Sequence, residues 1–324
     1  MLGAVMVAAV CVAVPAAAAL EGRKGAVGEV AIFYYPWYST PARDGHWAHW
    51  YVEGNGRHVL SPTFYPRRGL YSSSNPKIVS AHMREIRSAG VSTVVVSWWG
   101  ERSPEAARLP LVAGAARQHG LRVAIHLEPY RGRTPARAAQ AIRELAGQGY
   151  VDFYVYEAER DPDGEWHEAL EPLEGVRVFG HTTLVGSARA SGFDGVYTYD
   201  VLTWRGAMFK RLCAQARQLG LLCAPSVGPG FDARLMADHI GFRDRRRGET
   251  YDAMWRSAID AGPDVVTITS YNEWQEGTQI EPARSQVGRH GYDGAWGRRG
   301  LRAQTAYLDA TARWSRELVA TTRR

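Results

Sequence analysis

The segment 270–282 reads Ser-Tyr-Asn-Glu-Trp-Gln-Glu-Gly-Thr-Gln-Ile-Glu-Pro and follows directly on the apolar run Val265-Val266-Thr267-Ile268-Thr269. It crowds three carboxylates, Glu273, Glu276 and Glu281, around an indole and three amides just past a strand-like stretch. Neighbouring carboxylates repel, so one of them must hold its proton more tightly to stay neutral while another ionises. A neutral acid beside a charged one is what general acid/base chemistry on an acetal requires. The competing reading is a solvated acidic loop in which Trp274 packs sideways; what decides between them is whether the rest of the chain builds a cleft around these groups.

The elements that must position them are legible as alternating apolar runs and amphipathic segments, the pattern of βα units and a parallel sheet. Strands are predicted at 30–35, 93–98, 122–127, 153–156, 176–180, 195–199, 221–225 and 265–269. Helices are predicted at 77–89, 105–119, 137–145, 205–219, 251–261 and 302–318, with shorter or irregular ones after the fourth and fifth strands. Asn75-Pro76 and Thr134-Pro135 each pair a capping side chain with a proline at the first helical position, where no N–H is needed, and Gly90, Gly120 and Gly220 end helices. The fold expected is α/β, a single-domain (β/α)8 TIM barrel over 28–322. An open doubly wound sheet would usually carry a glycine-rich phosphate turn after its first strand, where this chain has Tyr35-Pro36-Trp37-Tyr38.

In a barrel, reactive groups gather where strands end. Here the strand ends carry Tyr34-Tyr35, Ser97-Trp98-Trp99, His126-Leu127-Glu128-Pro129-Tyr130, Tyr154-Val155-Tyr156-Glu157, His181, Tyr197-Thr198-Tyr199-Asp200 and the acidic motif. Any one of these aromatics could simply plug the barrel mouth. Together they outline a cleft of flat apolar plates and hydrogen-bonding groups, which suits pyranose rings with their C–H faces and hydroxyls. His46, His49, His126, Glu128 and His181 lack the spacing of a zinc site or a metal-binding helix motif, so no metal and no cofactor is expected. No Gly-x-Ser-x-Gly elbow accompanies Ser97 or Ser226, which argues against a serine hydrolase.

The 324 residues carry 39 basic and 33 acidic side chains, for a formal charge of +6. The basic residues are nearly all arginine, and the densest run, Arg243-Asp244-Arg245-Arg246-Arg247, reads as a solvated loop; no nucleic-acid motif accompanies it. Residues 1–20 are apolar and end in Ala16-Ala17-Ala18-Ala19, which reads as an export signal, with an uncleaved N-terminal anchor as the alternative. A secreted or cell-envelope protein, otherwise free of membrane, follows. Cys213 falls in a helical pattern and Cys223 in a strand, a placement read as two buried free thiols rather than a disulfide.

The chain after residue 20 resembles glycoside hydrolase family 99, the endo-α-1,2-mannosidases and endo-α-1,2-mannanases. The resemblance is carried by Phe33-Tyr34-Tyr35-Pro36-Trp37-Tyr38, Asp44-Gly45 with His49-Trp50, Phe64-Tyr65-Pro66, Tyr71-Ser72-Ser73, His126 with Pro129-Tyr130, 193–199, 225–230 and the acidic motif. It implies a (β/α)8 barrel and retaining, endo-acting cleavage of α-mannosidic bonds, with the substrate's own 2-hydroxyl as nucleophile through a 1,2-anhydro sugar. By that resemblance Glu273 is the base and Glu276 the acid/base, while Tyr35, His49, Trp99, His126, Glu128, Tyr130, Tyr199 and Asn272 line the sugar subsites. The implied partner is an α-mannose-containing oligo- or polysaccharide met by a monomer. Trp99 resembles the bacterial mannan-acting members, where animal enzymes have Tyr, and points to mannose in the distal subsite. Gln275 departs from the His common in the family, and 157–176 is shorter than in animal relatives. A barrel acting on another α-glycan or in polysaccharide assembly, and a non-catalytic carbohydrate binder, are the alternative functions.

Overall fold

The computed structural model describes residues 28–54, 57–236 and 241–322; the segment read as an export signal or anchor lies outside them. Nine parallel strands form one sheet: β1 (Glu29–Tyr34), β2 (Thr93–Trp98), β3 (Arg122–Leu127), β4 (Asp152–Val155), β5 (Arg177–His181), β6 (Gly195–Tyr197), β7 (Leu222–Ala224), β8 (Ser226–Val227) and β9 (Val265–Ile268). Their order is β8-β9-β1-β2-β3-β4-β5-β6-β7. The strands β7 and β8 are two halves of one stave, parted at Pro225, which has no N–H to give to a ladder. The first half pairs with β6 (Tyr197 opposite Ala224) and the second with β9 (Ser226 opposite Thr267), so the sheet's two ends meet and eight staves close a (β/α)8 barrel. The seventh stave therefore runs two residues beyond the predicted 221–225.

A helix follows each stave: α1 (Pro76–Ser88), α2 (Pro104–Gln118), α3 (Pro135–Ala146), α4 (Asp163–Leu170), α5 (Val185–Ala190), α6 (Phe209–Gln218), α7 (Glu249–Asp260) and α8 (Ala306–Thr322). Three start as their sequences dictate, with Asn75, Ser103 and Thr134 accepting from Lys77 N, Ala106 N and Arg137 N ahead of a proline turn. The helices after the fourth and fifth staves are short, at 8 and 6 residues. The predicted 302–318 helix is divided into Leu301–Gln304 and α8. None of the described helices is long and apolar enough to cross a membrane.

Strand periodicity sorts the core into two layers. On β1, Val30, Ile32 and Tyr34 face the helices, whereas Ala31, Phe33 and Tyr35 fill the barrel with Val95, Ala124, Tyr154, Phe179, Tyr197 and Tyr199. Stepping two residues past an inward position reaches the barrel mouth: Phe33 leads to Tyr35, Val95 to Ser97, His126 to Glu128, Tyr154 to Tyr156 and Tyr197 to Tyr199.

The expectation of free thiols is corrected. Cys213 on α6 and Cys223 on β7 are joined by a disulfide, with Cα atoms 5.2 Å apart. Helix α6 turns back at Gly220 and lays its buried face on the next stave, so two apolar-looking positions ten residues apart meet between layers.

Candidate active site

Past β9 the chain crosses a cis peptide at Thr269–Ser270 and folds into the acidic turn. Asn272 fixes its start: the amide oxygen accepts from Tyr35 N at 2.8 Å and the amide nitrogen donates to Tyr35 O at 2.9 Å, joining the exits of β1 and β9. The Asn272 side chain, read from sequence as a sugar contact, is fully buried and serves this clamp. Ser270 Oγ accepts from Glu273 N at 2.8 Å, and Tyr38 OH donates to Asn272 O at 2.9 Å. Trp274 is also fully buried; it does not offer a plate to the cleft but donates its indole N–H to Glu281 Oε2 at 2.8 Å. Glu281 accepts from Tyr71 OH at 2.7 Å and pairs with His82 Nε2 at 3.1 Å, so the third acid of the motif is an anchor beneath the turn.

The turn's far side is held by an unexpected residue. Arg245, placed by sequence in a solvated run, is 8% exposed; its Nη2 donates to Gly277 O and Gln279 O at 2.8 and 2.7 Å. Its guanidinium lies 4.4–5.0 Å from the ring centres of Phe64, Tyr307 and Tyr292, a cation–π enclosure in which no carboxylate of the described residues pairs with it. The solvated-loop reading fails because the three aromatics come from distant segments that converge only in the fold. Gly277 has φ 62, and an added Cβ would sit 3.0 Å from the backbone N and O of Asp232, which donates its N–H to Glu276 O at 2.7 Å.

Held this way, Glu273 and Glu276 share one site. Glu273 Oε1 accepts from Gln275 N at 3.1 Å and Glu276 N at 3.4 Å. Burial, then the charge of Glu276, raises the proton affinity of Glu273, while these two peptide donors work the other way by favouring its charged form. Glu276 is lifted to about 7, first by burial and then by the negative charges of Asp200 and Glu128. Two acids that cannot comfortably ionise together retain a proton between them, and the pair titrates as a unit.

The remaining sequence-predicted residues surround the pair. Tyr35 and Tyr199 are hydroxyl-bonded to each other, and the acids, through their charges, hold both phenols protonated on top of the effect of burial. His126 stacks on Tyr199 (5.6 Å, 23°), receives or gives a hydrogen bond with Tyr197 OH at 2.9 Å and pairs through Nδ1 with Glu128 Oε1 at 3.0 Å. Ser97 Oγ donates to Glu128 Oε1 at 2.8 Å and accepts from Trp99 Nε1 at 3.1 Å, tying Trp99 to the cleft. Tyr130 packs edge-on against Trp98 at 5.5 Å beside Trp99. His49 lies flat on Trp37 (4.4 Å, 3°), which in turn covers Tyr35 at 4.5 Å; burial brings the His49 imidazole down to about 4, opposed by a hydrogen bond with Gln275, so it is neutral. His181, also lowered to about 4 by burial and His126, stacks under Tyr156 at 4.6 Å and opens on a 420 Å³ cavity with Glu157, Thr182 and Trp204. Among the described residues no three His, Cys, Asp or Glu side chains converge as a metal site. Sequence reasoning missed Ser97, Asp200, Arg245 and the anchoring role of Glu281; of these, only Ser97 carried a signal, the inward parity of a strand end.

A family model described as glycosyl hydrolase family 99 matches residues 28–162 and 182–320. A glycoprotein endo-alpha-1,2-mannosidase-like protein of Danio rerio is 31% identical, the match spanning 79% of this chain and 71% of that protein; its Homo sapiens counterpart is 30% identical over 78% and 68%. The solved structure of a GH99 endo-alpha-mannosidase from Bacteroides thetaiotaomicron in complex with Bis-Tris-propane superposes with a TM-score of 0.81 at 29% identity, over 91% of this chain and 98% of that one.

Proposed function

The chain belongs to glycosyl hydrolase family 99 and is a glycosidase, and from that premise we propose that it is a retaining endo-α-1,2-mannosidase acting on mannan or mannose-containing glycans. The observation that carries this reading is the acid pair: two carboxyls on one anchored turn, both raised by burial, Glu273 accepting two peptide N–H groups that favour its charged form and Glu276 lifted to about 7, inside a ring of aromatic and hydroxyl groups.

Glu273 takes the proton of the substrate 2-hydroxyl as its oxygen attacks C1, and Glu276 gives its proton to the departing glycosidic oxygen. The C1–O bond breaks with inversion and leaves a 1,2-anhydro sugar. Glu276, now ionised, takes a proton from water; the water oxygen opens the ring at C1 with a second inversion, and Glu273 returns its proton to O2. The α configuration is retained and no bond forms between enzyme and sugar. Each proton transfer of this kind is worth about 10²–10⁴ in rate. Tyr35, His126, Glu128 and Tyr199 hold the reacting sugar, His49 with Gln275 lies to one side, and the cavity under Trp204 receives the leaving chain. Trp99 supports mannose in the distal subsite.

Incubation with yeast α-mannan and with glucosylated α-mannose oligosaccharides tests the reading: release of disaccharides of initial α configuration is expected, and release of monosaccharide alone contradicts endo action. Glu273→Gln and Glu276→Gln should each lower kcat by about 10³ or more while ligand still binds; near-normal turnover in either variant removes the assigned roles. A polysaccharide binder would give affinity without product. We further propose export, supported by residues 1–20 and the Cys213–Cys223 disulfide, which suits an oxidising compartment; the intact mass of protein recovered outside the cell decides between cleavage and anchoring.

A further inference from the structure

Beside Trp99, on the side of the loops that follow β2 and β3, lies a 550 Å³ cavity whose lining includes Trp98, Trp99, Tyr130, Arg102, Arg131 and Arg137. We propose that it binds an anionic substituent, a phosphomonoester, on a sugar unit lying beyond Trp99 and away from the cleaved bond. The inference rests on the α-mannoside reading above and adds a charge requirement to it.

Three observations converge. Trp99 is a fixed plate, its N–H tied through Ser97 to Glu128 in the cleft, yet it keeps 36% of its surface exposed, so a glycan lying along the cleft reaches the cavity over it. The cations there have few acceptors of their own, although the charge of Arg102 acts on Glu101 beside it. Arg133, Arg177 and Arg245 are bonded to carboxylates or backbone carbonyls, but among the described residues the guanidiniums of Arg102 and Arg131 have no hydrogen-bonded partner, and that of Arg137 donates only to Gly132 O, at 3.2 Å. Glu101, the one acid in the lining, hydrogen-bonds the Glu144 carboxyl of α3. A neutral hexose gains nothing from three guanidiniums that amides would not supply. A phosphate dianion matches their donor forks and their permanent charge.

The test compares kcat/KM for two α-mannose oligosaccharides that differ only by a phosphomonoester on the distal mannose, with a distal uronic acid as a third arm. The phosphorylated substrate should be favoured about tenfold at low salt, chiefly through KM, as one charge-assisted contact implies. The advantage should vanish in Arg102→Gln/Arg131→Gln and on going from about 50 to about 500 mM salt, with the neutral substrate unchanged. Equal rates on all three substrates, or a parallel fall on the neutral one in the double variant, overturns the proposal; a preference for the uronic acid over the phosphate overturns the phosphomonoester. If none is cleaved, the α-mannoside reading falls, and titration of the same three oligosaccharides onto Glu276→Gln still decides the cavity. Tighter binding of the phosphorylated one upholds it, and indistinguishable binding removes it.

Discussion

Replacing Glu276 by Gln should abolish turnover and, above neutrality, make the protein more stable. An acid raised from its ordinary 4.5 to about 7 in the fold favours folding only while protonated. Its contribution is complete below pH 4.5 and is lost as pH rises through 7, because the folded state must then either keep a proton that the unfolded chain has released or ionise beside Asp200 and Glu128. At about 1.4 kcal/mol per pH unit, the full interval is worth roughly 3.5 kcal/mol, and because Glu276 is only partly buried this is reduced to roughly 2 kcal/mol. Glutamine cannot ionise and keeps a similar shape. The variant should therefore match the parent in urea or thermal unfolding at pH 4.5 and exceed it at pH 8 by roughly 2 kcal/mol, on the order of 5 °C in Tm. The same proton should set the alkaline limb of kcat/KM, falling about tenfold per unit above pH 7. Equal stability of the two proteins at pH 8, or a deficit of the same size at both pH values, would refute the claim that the turn holds a lifted acid.

Three further outcomes follow from the supports of the turn. Gly277→Ala puts a Cβ at positive φ against the Asp232 backbone and should cost about 1–3 kcal/mol; because Asp232 N holds Glu276 O, kcat should fall with little change in KM. Arg245→Met keeps the volume inside the aromatic enclosure but removes both carbonyl bonds, so urea unfolding should record a loss of about 2–4 kcal/mol and kcat should drop while ligand affinity persists. Replacing Cys213 and Cys223 together by Ala opens a ten-residue loop and should lower stability by about 2–3 kcal/mol without changing kcat, since α6 and β7 lie away from the acids.

The barrel was legible because parallel strands buried on both faces must be continuously apolar, and 93–98 and 122–127 coincide with β2 and β3 to the residue. The cleft was legible for the same geometric reason: inward parity carries Tyr35, His126, Glu128 and Tyr199 to the mouth. What escaped depends on distances between segments far apart in the chain. Nothing local marks Arg245 as buried, since Phe64, Tyr292 and Tyr307 approach it from remote segments. Nor does the motif reveal which of its acids work and which brace; Glu281 is told apart from Glu273 only by finding Trp274, Tyr71 and His82 around it. The two cysteines were misjudged because helix and strand periodicities were read separately, whereas the bond spans the layer between them.

The clamp from Asn272 to Tyr35 spans 237 positions, and the stave that bears it sits between the earliest stave and the second half of the seventh. A chain lacking β9 therefore lacks Glu273 and Glu276 as well as one of the two neighbours of β1, however many of its cleft aromatics are present. The same short stretch of chain thus supplies the pairings that complete the circle and the acid pair that the circle surrounds, so neither is present without the other.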